Sequence, residues 1–203
     1  LFENGSLTAV FDIIPHHEIT VVVEPAESGT VVFEEEYLTG EKYSTTSSRT
    51  VVLEGNKPLL FKAIPNEFID FSKWSENNHN PMGSAESSTV RYTFQNSDTV
   101  VAHFTQQPFT FYVPNGFSPN GDGINDVFKV SGNAIDFDEY EFTIFDRWGQ
   151  VVFSSFSPDD VWTGEFNDGE YYVGDSSYQY RLRVKSVFEV NHRDYSGSIL
   201  LFR

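Results

Sequence analysis

The segment around residue 120 concentrates oxygen-bearing groups at a spacing that suits a bound cation. The candidate ligands are Asn120, Asp122, Ile124 through its backbone carbonyl, and Asp126. Calcium takes oxygen ligands at alternate positions of a short loop, and Gly123 would provide the sharp turn. Against a complete calcium loop, Ser118 replaces the first aspartate and Lys129 replaces the bidentate glutamate. Two interpretations remain open, a calcium site or a rigid turn held by its own Asn and Asp side chains.

No residues stand in a recognisable catalytic arrangement. None of the five histidines lies at the H-E-x-x-H spacing of a zinc protease, and the chain has no G-x-S-x-G nucleophile elbow. His16 and His17 fall in a predicted linker, and His103 alternates with apolar neighbours on a predicted strand, so all three are expected to face solvent. We expect a protein that is not an enzyme and requires no cofactor, with calcium left open.

The three tryptophans could form a sugar-stacking platform, because aromatic faces pack on pyranose rings. Trp74, Trp148 and Trp162 each stand beside apolar residues, however, so we expect them in the core. The run Glu34-Glu35-Glu36 is expected to form a solvated strand edge, where charge discourages pairing with other chains.

The overall charge disfavours several classes of partner. The chain of 203 residues carries 30 acidic and 13 basic residues, for a formal net charge of −17. Such a field repels phosphate backbones and anionic lipid surfaces, so no nucleic-acid partner is expected. There is no cysteine for a disulfide framework, no apolar run long enough to span a bilayer, and no signal peptide at Leu1-Phe2-Glu3-Asn4. We therefore expect a fragment of a longer protein whose export signal lies upstream.

The elements that carry these residues are predicted to be strands throughout. Short runs with period-2 alternation recur between Gly, Asn, Asp and Pro, which is typical of an all-β sandwich or barrel. The predicted strands are 19–24, 30–33, 50–53, 59–64, 68–74, 89–94 and 100–104 in the first half, and 110–113, 127–130, 140–146, 150–154, 178–184 and 196–202 in the second.

An internal repeat suggests how the first half is organised. Residues 1–11 align with residues 94–104, since both contain a polar turn followed by a strand that ends in Ala-x-Phe. This predicts that residues 1–14 hold the last strand of a preceding repeat and that residues 15–107 form one whole repeat. The neighbouring repeats of the same chain would then support one another.

That predicted repeat resembles the divergent internalin B-type repeat of bacterial surface proteins. The motifs that carry the resemblance are P-x-x-x-G-x-V at 25–31, V-x-L-x-A-x-P within 52–65, F-x-x-W-S at 71–75 and V-x-A-x-F at 100–104. The segment 34–48 is longer than the family pattern. The resemblance implies a stalk or adhesin module made of β-strands.

The second half carries an ordered set of sharper motifs. They are P-N-G-F-S-P-N-G-D-G-I-N-D-V-F at 114–128, F-T-I-F-D-R-W-G-Q-V-V-F at 142–153, W-T-G at 162–164, Y-Q-Y-R-L at 178–182 and G-S-I-L-L-F-R at 197–203. Together they resemble the gliding-motility-associated C-terminal domain, the type B sorting domain of type IX secretion cargo in Bacteroidota. Two positions depart from the family pattern: Thr163 stands in place of aspartate, and Gly174-Asp175-Ser176-Ser177 replaces a segment with Pro and Gly.

The resemblance implies a fold, a role and a set of partners for residues 108–203. The fold is an immunoglobulin-like antiparallel β-sandwich. The role is export across the outer membrane and display at the cell surface after transit of the periplasm, and the partners are the type IX translocon and an outer-membrane protein of the PorP/SprF kind. The expected recognition residues are those of the last strand: Gly197, Ser198, Ile199, Leu200, Leu201, Phe202 and Arg203.

We therefore expect the C-terminal segment of a large cell-surface adhesin or gliding-motility protein. The alternatives are a carbohydrate- or protein-binding adhesion module, which exposed aromatic residues in a groove of the first module would favour, and an accessory domain of a secreted hydrolase. If the last strand is the signal, deletion of residues 197–203 should hold the protein in the periplasm.

Overall fold

The computed structural model describes residues 13–35, 42–55, 57–76, 80–81, 86–166, 169, 171–174 and 176–202. The chain divides into two compact units, Leu1–Gln106 and Gln107–Arg203, and the regular elements described in both are strands, apart from one short 3-10 helix. The all-β, sandwich-like fold predicted from the sequence is confirmed. The strand predicted at the beginning of the chain falls on residues 1–12, outside the described residues, and the internalin B-type assignment of the first unit stays a prediction.

The first unit contains two sheets. Its strands are β1 His16–Glu24, β2 Gly29–Glu35, β3 Lys42–Thr45, β4 Ser48–Glu54, β5 Pro58–Pro65, β6 Ile69–Glu76, β7 Asn80–Pro81, β8 Thr89–Thr93 and β9 Asp98–Gln106. One sheet has the order β4-β1-β9-β6-β7 and the other has the order β3-β2-β5-β8. The pairs are antiparallel except β1 with β9, which run parallel.

Alternation along the strands builds the core of the first unit. Ile19, Val21 and Val23 are buried on β1, because every second side chain of a strand points to the same face. The ring of Phe61 on β5 lies 5.9 Å from that of Trp74 on β6, which joins the two sheets. Burial of Trp74 agrees with the expected core role of this residue.

The second unit contains a main five-stranded sheet and two short strand pairs. Its strands are β10 Thr110–Tyr112, β11 Gly116–Phe117, β12 Ser131–Asn133, β13 Glu141–Phe145, β14 Val151–Ser155, β15 Glu165–Phe166, β16 Tyr171–Tyr172, β17 Ser176–Val184 and β18 Arg193–Leu201, with a short 3-10 helix at Phe137–Glu139. The main sheet has the order β11-β18-β17-β13-β14, while β10 pairs with β12 and β15 with β16.

The inner face of the main sheet carries an aromatic core. Phe142 on β13, Leu182 on β17 and Ile199 on β18 are buried by the same alternation. Phe128 and Trp162 cover them from the other side, with the ring of Phe128 stacked 5.8 Å from that of Phe142. The core residues of this unit all come from its own part of the chain.

Two details of the predicted fold are wrong. The strand expected at 127–130 is a single bridge, in which Phe128 and Trp162 exchange backbone hydrogen bonds of 2.8 and 2.9 Å. The second unit is also not purely antiparallel, because β11 runs parallel to β18. Both errors concern pairings of one or two residues, which are too short to produce a period in the sequence. No helix among the described residues is long and apolar enough to cross a membrane.

Candidate functional site

The segment 118–126 folds into a loop organised around the carboxylate of Asp126. Its Oδ1 accepts hydrogen bonds from the N–H groups of Asn120 at 3.0 Å and Gly121 at 2.7 Å, and its Oδ2 accepts one from Gly123 at 2.6 Å. The bond from Ser118 N to Asn125 O, at 2.9 Å, closes the base of the loop. Because both carboxylate oxygens of Asp126 accept from backbone N–H groups, they fix the conformation of the loop, as in an Asx-rich turn.

The other predicted cation ligands also bond within the loop. Oδ1 of Asn120 accepts from Asp122 N at 3.0 Å, and Oδ1 of Asp122 accepts from Ile124 N at 2.8 Å. The structure thus brings Asn120, Asp122 and Asp126 together, while the side chain of Ile124 points to solvent. In the part of the chain that is described, no three or more His, Asp or Glu side chains are grouped to hold a metal ion.

The Asp126 carboxylate is held in its charged form. Hydrogen bonds from the backbone N–H groups of Gly121 and Gly123 lower the pKa of Asp126 below the usual 3.8, because they stabilise the anion. At neutral pH the loop therefore uses a charged carboxylate as the acceptor for three backbone amides.

The terminal strand presents only part of the predicted recognition segment. Ile199 and Leu201 on β18 are buried in the core, and Gly197 lies under the ring of Tyr180. Leu200 and Phe202 are each 55% exposed, and Ser198 also faces outward. Arg203 lies outside the described residues. A partner that meets the folded unit can therefore touch alternate residues of this strand, not the whole segment.

The carboxyl end of the terminal strand β18 lies between two other strands of its sheet, β11 and β17. Leu200 N donates to Asn115 O at 2.9 Å and Phe202 N donates to Phe117 O at 3.3 Å, so backbone pairing is already satisfied on both sides there. Among the described residues, strand β14 at the opposite edge of the sheet pairs with β13 alone. Strand β18 has its second partner, β11, only at Leu200 and Leu201, so β14 and the first part of β18 both leave an edge open to another strand.

The turn between β13 and β14 overturns one sequence expectation. Trp148 is 81% exposed, so its predicted core role is wrong. Oδ1 of Asp146 accepts from Trp148 N and Gln150 N, each at 2.8 Å, and Gly149 adopts φ +82°, a conformation that glycine tolerates. The turn is thereby fixed, and it holds the indole ring outward.

An open cleft of about 250 Å³ lies beside this turn. Its wall is formed by the buried side chains of Val152, Phe166, Val173 and Tyr178, but polar residues that include Asp146, Gln150 and Ser176 also line it, and the surface it exposes is more polar than apolar. Arg147 and Trp148 stand at its margin, with the guanidinium of Arg147 5.1 Å from the centre of the Trp148 ring. The sequence motif D-R-W-G gave no sign of this cleft, because its wall comes from three separate strands and a loop.

Comparison with known families decides what the second unit is. A family model described as CHU_C Type IX secretion signal domain matches residues 111–201, just under half of the chain and almost all of the second unit. Residues 111–201 are a type IX secretion signal domain. No curated protein matches the chain. The recognition made from the sequence motifs is confirmed for this unit.

The type IX secretion signal domain makes the chain part of a secreted cargo protein that carries an export signal. Such a signal implies contact with the secretion machinery and export to the cell surface. The Asp126-centred loop, the Arg147–Trp148 turn and the terminal strand all lie within the matched residues.

The first unit contains a hydrogen-bonded Glu–His–Ser chain that the sequence did not predict. The Nδ1 of His103 lies 3.1 Å from Oε2 of Glu24, and its Nε2 lies 2.7 Å from Oγ of Ser75. Only 15% of the His103 side chain is exposed, so the expectation that it faces solvent is wrong. The order matches a catalytic triad, but Ser75 is fully buried and no substrate carbonyl can reach its hydroxyl. The three residues instead join β1, β9 and β6.

Proposed function

We propose that the chain is the C-terminal segment of a large cell-surface adhesin or gliding-motility protein of Bacteroidota, without enzyme activity. Residues 107–203 act as a type B sorting domain that engages the type IX translocon and an outer-membrane protein of the PorP/SprF kind. The first unit serves as a stalk repeat of the internalin B type. No cofactor is required for either role.

The family match over residues 111–201 carries this proposal. The gliding, adhesin and partner assignments rest on the motif resemblance, and the order of five motifs through the second unit supports them. The burial of Ser75 agrees with the proposed absence of enzyme activity, because the hydroxyl group that contacts His103 is out of reach of a substrate.

The mechanism is recognition of a folded surface. Since Ile199 and Leu201 are core residues, a receptor that reads the folded domain would contact the outward side chains Ser198, Leu200 and Phe202. Leu200 and Phe202 are apolar side chains more than half exposed, and such residues are suited to burial against a partner.

Deletion of residues 197–203 cannot test this role alone, because it also removes two core side chains. A better test fuses residues 107–203, and separately 15–203, to a periplasmic fluorescent protein in a host with type IX secretion. The fusion begins at residue 107 because Asn133 Nδ2 donates to Gln107 Oε1 at 3.3 Å and to Pro108 O at 3.1 Å. We expect both fusions to reach the cell surface or the medium.

Surface variants separate recognition from folding. Leu200→Ser with Phe202→Ser should reduce export while leaving the melting temperature nearly unchanged. Val190→Ser is the matched control, since Val190 is 88% exposed and lies outside the terminal strand. Normal export of the double variant would show that the terminal strand is not read. Retention of the 107–203 fusion in the periplasm, with the 15–203 fusion exported, would assign part of the signal to the first unit.

The carbohydrate-binding alternative gains no support from the described residues of the first unit. Among its described residues, the large hydrophobic side chains that are exposed are aliphatic: Ile13, Ile14, Val52 and Ile64. A sugar-stacking groove needs an exposed aromatic face, and Trp74 is buried.

A further inference from the structure

Arg147 differs from the other described cations of the second unit. Five of the six form an ion pair: Lys129 with Asp159, Arg181 and Arg183 with Asp194, Lys185 with Asp136, and Arg193 with Glu189. Among the described residues, the guanidinium of Arg147 makes no ion pair or hydrogen bond, and it lies 5.1 Å from the centre of the Trp148 ring. In a chain of net charge −17, where carboxylates are abundant, an unpaired guanidinium at the margin of a cleft is suited to an incoming anion.

Trp148 adds an apolar face and an unused donor at the same place. Its ring is 81% exposed, and its indole N–H donates to no acceptor among the described residues. The turn that carries it is rigid, since Asp146 accepts from two of its backbone amides. A partner that covers this ring would therefore bury a large apolar surface with little loss of conformational entropy.

The cleft and the neighbouring edge strand supply the remaining contacts. The cleft is lined by Val152, Phe166 and Val173, which are almost fully buried, and by polar residues such as Gln150 and Ser176, so the exposed ring of Trp148 at its margin is the main apolar contact surface. Strand β14 begins at Val151, directly after the turn, and is an edge strand that pairs with β13 alone among the described residues. Every second backbone N–H and C=O of such a strand points away from the sheet and can pair with an added strand.

We propose that the Arg147–Trp148 turn, the cleft and the edge of β14 form a docking site for an extended acidic peptide segment of a partner protein. The segment pairs with β14 as an added strand. It places one apolar side chain against the exposed ring of Trp148 at the margin of the cleft and an adjacent carboxylate on the guanidinium of Arg147. This inference does not depend on the export role of the domain.

The edge strand favours a peptide over a sugar. Its backbone groups are partners that only another backbone matches in register. The negative charge of the chain opposes any anionic ligand at long range. At physiological salt this repulsion is screened beyond about 8 Å, so the local guanidinium decides the contact.

The test uses the full chain and a short synthetic peptide that alternates valine and aspartate around a central phenylalanine. Trp74 and Trp162 are buried, so iodide quenching of tryptophan fluorescence reports mainly on Trp148. We expect the peptide to protect the indole from iodide in a saturable manner. The matched peptide with asparagine in place of aspartate should bind at least about tenfold more weakly, because it lacks the charge-assisted bond to Arg147.

Variants assign the binding to the proposed residues. Arg147→Gln should weaken binding of the acidic peptide by about tenfold and leave binding of the asparagine peptide unchanged. The control is Arg183→Gln, on the exposed face of the same sheet, which should bind the acidic peptide as the wild type does. Trp148→Ala should also lose binding of the acidic peptide, which calorimetry measures because the fluorescent residue is absent. This variant should melt at the wild-type temperature.

Three outcomes would overturn the proposal. They are no protection of Trp148 by the acidic peptide, equal binding of both peptides, and unchanged binding in Arg147→Gln. Protection of Trp148 by an oligosaccharide of glucuronic acid, without protection by the peptide, would also overturn it and would assign the site to an anionic glycan.

Discussion

At the scale of single residues, Trp148 and Trp162 show how one residue type serves two purposes in one unit. Trp162 is 2% exposed, and its Nε1 donates to Glu165 O at 2.8 Å, so both the ring and its polar atom are satisfied in the core. Trp148 is held in solvent by a turn whose amides are bonded to Asp146. The first stabilises the domain, and the second is available to a partner.

Substitution of the two residues should therefore have opposite effects on stability. Trp162→Ala should lower the free energy of unfolding of the second unit by about 3–5 kcal/mol, because it removes a large buried side chain and leaves a cavity. Trp148→Ala should change it by less than about 0.5 kcal/mol, since the ring is exposed. Urea denaturation of both variants measures the difference. Equal losses would mean that Trp148 packs in the folded protein.

Asp126 makes the stability of the second unit depend on pH. Its pKa is lower in the folded than in the unfolded protein because of the hydrogen bonds from Gly121 and Gly123. The carboxylate therefore stabilises the fold above the unfolded pKa, and this contribution is lost as the pH falls through the lowered value.

The variant Asp126→Asn should melt below the wild type at pH 7, and the difference should narrow as the pH falls below 3.8. Thermal melting followed by circular dichroism measures both proteins across this range. Asp138→Asn is the control, because the carboxylate of Asp138 accepts no hydrogen bond among the described residues. A difference that stays constant down to acidic pH would show that the charge of Asp126 does not stabilise the loop.

Calcium is expected to leave the melting temperature unchanged. Both carboxylate oxygens of Asp126 already accept from backbone amides, and a cation would have to compete with three of these bonds. The measurement is thermal melting with calcium and with a chelator. A rise on adding calcium that Asp126→Asn abolishes would establish a calcium site at the loop.

At the scale of elements, short strand pairs close the second unit where the long strands leave gaps. Strand β10 pairs with β12 through only three residues, from Thr110 opposite Asn133 to Tyr112 opposite Ser131. The close approach requires glycine at position 132, because a Cβ there would lie 2.6 Å from Ile135 Cδ1 and would collide with the carbonyl oxygen of Thr110. Backbone atoms cannot move aside as a flexible side chain can.

Gly132→Ala should accordingly destabilise the second unit by about 1–3 kcal/mol, the usual cost of overpacking. Gly174→Ala is the matched control, since a Cβ at position 174 would have no neighbour within 4 Å. Denaturant unfolding compares the two variants. If both unfold at the wild-type midpoint, the β10–β12 pair contributes nothing to stability.

At the scale of the whole molecule, the second unit has a core made from its own residues. The partly buried rings of Phe109 and Phe111 belong to that core, and Phe111 lies 4.7 Å from the ring of Tyr195 on β18. The unit therefore includes the residues that precede the matched segment 111–201.

A fragment of residues 107–203 should fold alone, whereas residues 113–203 should be less stable. Loss of two partly buried phenylalanines removes about 2 kcal/mol or more, which corresponds to a fall of at least about 8 °C in melting temperature. Calorimetry of both fragments measures this. Equal melting temperatures would place the start of the folded domain after Phe111.

The fold class and the family of the second unit could both be predicted from the amino-acid sequence. Period-2 alternation, as at Phe142 and Ile144 or Ile19 and Val21, marks long strands because each residue's direction follows from its neighbour's. The ordered motifs of residues 114–202 were sufficient to identify the secretion signal domain. These features are local in the chain, so a linear pattern records them.

Which side chains of each motif are exposed, and which strands they connect, became visible only in the folded protein. The D-R-W-G turn did not reveal that Trp148 faces solvent, and the terminal motif did not reveal that Ile199 and Leu201 are core residues while Leu200 is exposed. The contact of Glu24 with His103 and Ser75 joins three strands distant in sequence. Such features depend on which strands become neighbours, and that is set by the burial of many side chains at once, which no single segment of the sequence encodes.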